Sequence, residues 1–287
     1  MVTGANSGLG LVTARELARA GAHVIGTARE REKGDRAEAE IRRAVPDANV
    51  EMRMLDLADL RSVREFAAGV AAPNGGLDLL INNAGVMMPP RTITRDGQEL
   101  QFATNHLGHF ALTGLLLERL AQGRDPRVVT VSSLEHRPGQ IDFDDLASER
   151  EYQPRTAYQR SKFANAVFGL ELDRRLRAAG SPVKSMLAHP GYSATNLQTS
   201  GPTGPMKAFL RVGNRLFAQS ADRGALPQLY AATAPDVQGG EFYGPDGFNQ
   251  LRGGPTRVKP VDRATDPQLG RRLWQVSQEL TGVTYQL

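Results

Sequence analysis

Apolar positions along the chain fall alternately into helical and strand spacing. Leu9, Val12, Ala14 and Leu17 recur at helical intervals from Leu9 to Ala20, where Gly21 stops them, and His23 to Thr27 follows as a short buried strand. The alternation continues. A charged helix from Glu30 to Ala44 leads to a strand from about Asn49 to Leu55, a helix from about Leu60 to Ala71 and a strand from Gly76 to Ile81. The longest helical stripe spans about Gln98 to Gln122. It is followed by a strand at Arg127 to Ser133, a helix at Thr156 to Ala179 and a strand at Val183 to Ala188. A helix from about Asp222 to Ala232, a strand near Glu241 to Tyr243 and a terminal helix around Asp266 to Leu280 complete the pattern. Strands alternating with helices predict an α/β fold, a doubly wound parallel sheet with helices on both faces. Only Met1 and Val2 precede the first turn, fewer than the roughly 5–6 residues of an ordinary strand, so the first strand reads as truncated.

Composition narrows this picture. With 287 residues, 40% of them hydrophobic and 23% charged, the chain suits one large domain, residues 1–287, with 245–287 as a C-terminal extension. No apolar run approaches the roughly 20 residues of a membrane span and no signal peptide opens the chain, so the expectation is a cytoplasmic protein without an integral membrane segment. The absence of cysteine removes disulfides, thiol nucleophiles and cysteine metal sites. The formal charge of +4 comes from arginines scattered among acidic residues, a pattern of solvated helix faces that does not call for nucleic acid. Only five lysines occur, among them Lys33 and Lys162.

Candidate chemistry gathers where strands end. Thr3-Gly4-Ala5-Asn6-Ser7-Gly8-Leu9-Gly10 stands before the first helix, and its glycines allow a tight turn and close backbone approach to a ligand. The spacing departs from the common dinucleotide fingerprint, so a phosphate cradle and a plain glycine turn both remain open. Arg29 follows the His23 to Thr27 strand, where an arginine suits a ribose 2′-phosphate; the bland alternative is an exposed arginine opening a charged helix. Asn82-Asn83-Ala84-Gly85 closes another strand before the apolar loop Val86-Met87-Met88-Pro89-Pro90, and Asn82 and Asn83 could equally tie strands together. Asn105 sits amid apolar residues and needs partners. His106 and His109 lack a third ligand nearby, so no metal is expected. Ser132 and Ser133 end a strand, Ser132 being the one more suited to satisfying a backbone group. Tyr158 and Lys162 lie one helical turn apart. Residues 196–220 carry the stripe Met206, Phe209, Leu210, Val212, Leu216 and Phe217, read as a substrate lid ahead of ordinary packing or membrane-surface docking.

Taken together, Thr3 to Gly10, Asn82 to Gly85, Asn105, Ser132-Ser133, Tyr158 to Lys162 and Pro190-Gly191 resemble the short-chain dehydrogenase/reductase family over most of the chain. Asn105 to Phe110, the lengthened segment before Tyr158, and Ser161 to Asn165 resemble its retinol-dehydrogenase-like branch, which also holds the oxidoreductase domain of WW-domain proteins and the protochlorophyllide reductases. The tail Phe242 to Gly247 is similar to that of bacterial members. The resemblance implies a Rossmann-type fold and a hydride transfer between a nicotinamide and a lipophilic alcohol, aldehyde or ketone. It implies Tyr158 as acid and base, Lys162 lowering the tyrosine pKa and holding the nicotinamide ribose, Ser133 bonding the substrate oxygen, and Asn105 fixing a water that links Lys162 to solvent. Gly4, Asn6, Ser7, Gly8, Leu9 and Gly10 would surround pyrophosphate and ribose. Asp56 and Leu57 would lie by adenine, Asn83, Ala84 and Gly85 along the cofactor channel, and Pro190, Gly191 and Thr195 beside nicotinamide. Arg29 matches the basic position of NADP-preferring members. Ser7 does not supply the second basic residue some of them carry, which leaves NAD as the alternative.

Two other functions fit parts of the pattern: a catalytically silent dinucleotide-binding redox sensor, and a C=C reductase akin to the protochlorophyllide enzymes. The first would lack turnover; the second finds no pigment signature here. Family members also pair through helices that here would start near Gln98 and Thr156, which suggests a homodimer or homotetramer, with a monomer as the alternative.

Overall fold

The computed structural model describes residues 1–70, 76–192 and 219–287. Among the described residues seven strands are formed: β1 (Val24–Ala28), β2 (Val50–Met54), β3 (Leu79–Asn82), β4 (Arg127–Val131), β5 (Lys184–Ala188), β6 (Phe242–Pro245) and β7 (Pro255–Val258). β1 pairs with β2 in parallel, and β3, β4, β5 and β6 pair in parallel in that order. Val2 joins the two groups, bridging Gly26 on one side and Ile81 on the other. Its N–H donates to the Ile25 carbonyl at 2.9 Å, and Ile81 N–H donates to the Met1 carbonyl at 2.9 Å. Met1 and Val2 thus occupy the place of a central strand, and Thr3 N–H continues the pairing to the Ile81 carbonyl at 3.0 Å. β7 runs antiparallel along β6 and was not anticipated. Its four residues are only partly covered, so they show no apolar period.

Helices cover both faces, as the unbroken burial of β1 and β4 requires. One face packs α1 (Gly8–Arg19) and α2 (Arg31–Ala44) through Ala14, Leu17 and Ile41 onto Val2, Val24, Ile81, Val129 and Met186. The other packs α3 (Leu60–Gly69), α4 (Gly108–Ala121) and α5 (Pro154–Ala178) through Val63, Phe66, Phe110, Leu116 and Phe168. The helix expected from about Asp222 to Ala232 is broken at Ala225 into Ala221–Gly224 and α6 (Leu226–Thr233). α7 (Pro267–Thr281) begins behind Asp266, whose carboxylate caps the Gln268 N–H, and ends at left-handed Gly282.

In the lengthened segment before Tyr158, partly buried Ile141, Phe143 and Leu146 pack on the core around Phe163 and Phe242. The helices expected to pair between subunits carry the chain's own C-terminus. Trp274 of α7 and Tyr285 pack on Phe110 of α4, and Arg175 of α5 lies over the Trp274 ring.

Candidate active site

Because β1 to β5 run parallel, the segments that follow them meet at one edge, where ligands of open α/β sheets bind. Thr3 organises that edge. Its hydroxyl oxygen accepts the N–H groups of Asn83 and Ala84, both at 2.9 Å, and its carbonyl accepts the Asn83 amide at 2.8 Å. Gly4 then takes φ +64°, and a Cβ there would stand 2.9 Å from Ala84 Cα. A Cβ on Gly10 would fall 2.3 Å from the Gly4 carbonyl oxygen. The turn is therefore closed to larger residues at both places, and no side chain caps the α1 N-terminus that it presents.

A cavity of about 400 Å³ opens above it. Gly4, Asn6, Ser7, Gly8, Leu9 and Gly10 line one wall, Arg29, Asp56 and Leu57 a second, and Asn83, Ala84 and Gly85 a third. Twelve residues proposed from sequence thus surround one space. Glu30 and Lys33 line it as well and were not anticipated. The Lys33 ammonium pairs with the Glu30 carboxylate at 2.6 Å beside Arg29. The signal for Lys33 was its position one helical turn after Arg29 on a chain poor in lysine.

The expected long helix around Asn105 is not uniform. A short turn, Leu100–Phe102, passes into a π-helical stretch, Ala103–Leu107, before α4. Such bulges concentrate at functional sites because they turn one residue out of the α register. The Asn105 side chain accepts Val86 N–H at 2.8 Å and donates to Val86 O at 3.0 Å and to Ser161 Oγ at 2.8 Å. Its backbone carbonyl is engaged by His109 Nδ1 at 3.0 Å. Asn105 therefore ties the cavity wall to α5, and its own polar groups are taken up by protein partners.

On α5, Tyr158 is 4% exposed and its hydroxyl lies beside that of Ser133. Burial pushes the tyrosine pKa well above its ordinary value. Ser133 offsets this in part, and the Glu135 carboxylate adds to it. Lys162 is buried too, which lowers its ammonium to about 8, and its Nζ donates to Val131 O at 3.1 Å. Nζ stands 5.8 Å from the Tyr158 ring centroid. In this structure burial governs the Tyr158 hydroxyl, and the Lys162 ammonium turns to the Val131 carbonyl. Ser132 donates to the Lys162 carbonyl at 2.8 Å, the backbone role considered for it.

A family model described as short chain dehydrogenase matches residues 1–204. The chain belongs to the short-chain dehydrogenases. Among relatives of this dehydrogenase, human retinol dehydrogenase 13 is 42% identical over 99% of this chain and 84% of its own length. Mouse polyprenol dehydrogenase is 41% identical over 98% of this chain and 83% of its own length. An uncharacterized protein from Mycobacterium Paratuberculosis, known from a crystal structure, superposes with a TM-score of 0.82 at 47% identity, covering 99% of this chain and 93% of that one. The dehydrogenase is retinol-dehydrogenase-like, and its fold is the Rossmann type.

The remaining residues of the dehydrogenase take plainer places. Asn82 donates to Thr113 and Thr130, at 3.0 and 3.5 Å, and so joins strand to strand and helix. His106 bonds Ser277 of α7 at 2.8 Å and His109 bonds Thr3 at 2.9 Å. Pro190 and Gly191 follow β5 at the same edge; Thr195 and most of the 196–220 lid lie outside the described residues. Among the described residues no helix is long and apolar enough to cross a membrane.

Proposed function

We propose that this short-chain dehydrogenase transfers a hydride between a nicotinamide dinucleotide, NADP in preference to NAD, and a lipophilic alcohol, aldehyde or ketone. The adjacency of the Tyr158 and Ser133 hydroxyls, with buried Lys162 one turn along α5, carries this reading. The cavity fits the cofactor on its own geometry: a glycine turn that added Cβ atoms would fill, an uncapped helix N-terminus for the pyrophosphate, and Arg29 and Lys33 where a 2′-phosphate would lie. The bound cofactor supplies or accepts the hydride. In the reducing direction Tyr158, held protonated by burial, donates its proton to the carbonyl oxygen as negative charge develops there, while Ser133 hydrogen-bonds the same oxygen. Lys162 keeps a positive charge near the tyrosinate that results. Substrate lipophilicity is supported by Met87 and Pro89 on the cavity wall and by relatives named for retinol and polyprenol, both long apolar alcohols.

The test is NADPH oxidation with a panel of aldehydes and ketones, comparing the protein with Tyr158→Phe. Turnover that the substitution lowers at least about 10³-fold, with NADPH binding retained, is the expected result. Tight NADPH binding with no reduction by either protein would instead favour the silent redox sensor.

A further inference from the structure

The loop joining β6 to β7 contains two consecutive left-handed residues that are not glycine, Asn249 at φ 49° and Gln250 at φ 59°. That region is disfavoured for side chains with a Cβ, and such outliers persist where surrounding contacts impose them, often at functional sites. Here the contacts converge on the segment after β5. Gln250 Oε1 accepts from His189 Nε2 at 3.0 Å and from Arg137 Nη2 at 2.8 Å. The Nδ1 of His189 accepts the Gly191 N–H at 3.2 Å. Only the tautomer with its proton on Nε2 satisfies both bonds. Gly191 is itself left-handed at φ +63°, with the Leu251 carbonyl oxygen 2.4 Å from where a Cβ would stand, and Tyr192 N–H donates to that oxygen at 2.7 Å.

We propose that Gln250 is a positioning residue for the dinucleotide: by fixing the His189 tautomer it sets the Gly191 backbone that flanks the nicotinamide. This rests on the cofactor reading of Pro190 and Gly191 given above. The chemistry is one of exclusion. A second proton on His189 would occupy Nδ1 and expel the Gly191 N–H. The ring packs edge-on against Phe242 at 5.3 Å, and Gly244 leaves no room beside Nε2. The charged or titratable groups acting on it are His136 and Arg137, and together with burial they hold His189 down at about 3. The bond to Gly191 is thus insulated from pH. A carboxylate in place of the Gln250 amide would favour the imidazolium and lift His189 toward its ordinary value near 6.5, even with Arg137 competing for it.

The experiment is titration of NADPH fluorescence with the full chain, its Gln250→Ala form and its Gln250→Glu form at about pH 6 and about pH 8.5. Each value is referred to wild type at the same pH, and His189 nitrogen shifts are read by NMR. Gln250→Ala is expected to weaken binding roughly tenfold at both pH values, since it orphans a buried N–H. Gln250→Glu is expected to bind within about twofold of wild type at the higher pH and roughly tenfold more weakly at the lower, as its His189 protonates. Binding by both folded variants within about twofold of wild type throughout would overturn the proposal. So would equal weakening of Gln250→Glu at both pH values, which is what loop damage alone would give. Should Gln250→Ala fail to fold, the pH contrast in Gln250→Glu decides. Absence of NADPH binding by the wild-type chain would sink the cofactor reading and this role with it; wild-type binding together with a flat Gln250→Glu profile sinks this role only.

Discussion

His109 Nε2 lies 2.9 Å from Thr3 Oγ1 while its Nδ1 lies 3.0 Å from the Asn105 carbonyl, so one buried imidazole joins the entry of the glycine turn to the π-helical stretch. The Asn105 carbonyl can only accept, so Nδ1 carries the proton and Nε2 accepts from the Thr3 hydroxyl, whose oxygen also takes two backbone N–H groups. His109→Leu would remove both bonds, each contributing about 0.5–1.5 kcal/mol, while the Thr3 hydroxyl keeps the Asn83 and Ala84 N–H groups and the Ile81 carbonyl at 3.3 Å. The expected loss in urea unfolding is therefore about 1–3 kcal/mol. His109→Gln, which offers an acceptor and a donor at similar separation, should recover more than half. A leucine variant as stable as wild type would show that the imidazole bonds carry no stability.

Acid should destabilise the protein before its carboxylates titrate. Burial lowers His106 to about 3, His109 to about 4 and His189 to about 3, against 6.5 in the unfolded chain. Below about 6.5 the unfolded chain binds protons that the folded one refuses, so stability falls as pH drops toward 4 and is flat in these groups above about 7. The limiting slope is about 1.4 kcal/mol per pH unit for each histidine. Urea midpoints at pH values near 7.5, 6 and 5 measure it. Equal midpoints across that range would contradict the buried neutral imidazoles.

Cofactor preference should reside in the Arg29 and Lys33 pair. Arg29→Ala with Lys33→Ala is expected to raise KM for NADPH roughly 10–100-fold and to leave that for NADH within about threefold, since charge-assisted bonds to a 2′-phosphate contribute about 1.5–3 kcal/mol. Glu30→Gln, which frees Lys33 from its carboxylate, should lower KM for NADPH. An unchanged NADPH to NADH ratio in the double variant would place discrimination elsewhere.

The C-terminal segment should act as part of the core and as a cover for α4 and α5. Tyr285 sits 4.5 Å from the Trp274 ring and 4.9 Å from that of Phe110, and its hydroxyl donates to Phe110 O at 2.6 Å. Tyr285→Ala should cost about 3–5 kcal/mol, as aromatic truncations in cores do. With those helix faces occupied, light scattering at micromolar concentration should report a monomer. A stable dimer would mean that self-association uses another surface.

Much of this molecule was legible before any coordinate. Alternating periods located most strands and helices to within a few residues, because burial on both faces of a parallel sheet and on one stripe of a helix is written locally. The glycine turn, Arg29, Asp56 and the Asn83 to Gly85 wall could be assigned to one edge because parallel strands all end there. The spacing of Tyr158 and Lys162 on one helix placed them on one face, and helical geometry alone supports that.

The tertiary structure decided what depends on distant partners. Thr3 and His109 are 106 residues apart and His189 and Gln250 61, so no period announces either bond. The π-helical stretch at Asn105 and the covering of α4 by Tyr285 are likewise settled by packing. So is the sign of the Tyr158 shift, because desolvation depends on how much of the fold closes over the hydroxyl, whereas the lysine one turn away is visible in the sequence. The order of residues determined which groups could meet at this edge; only the folded chain determined how they are held and charged.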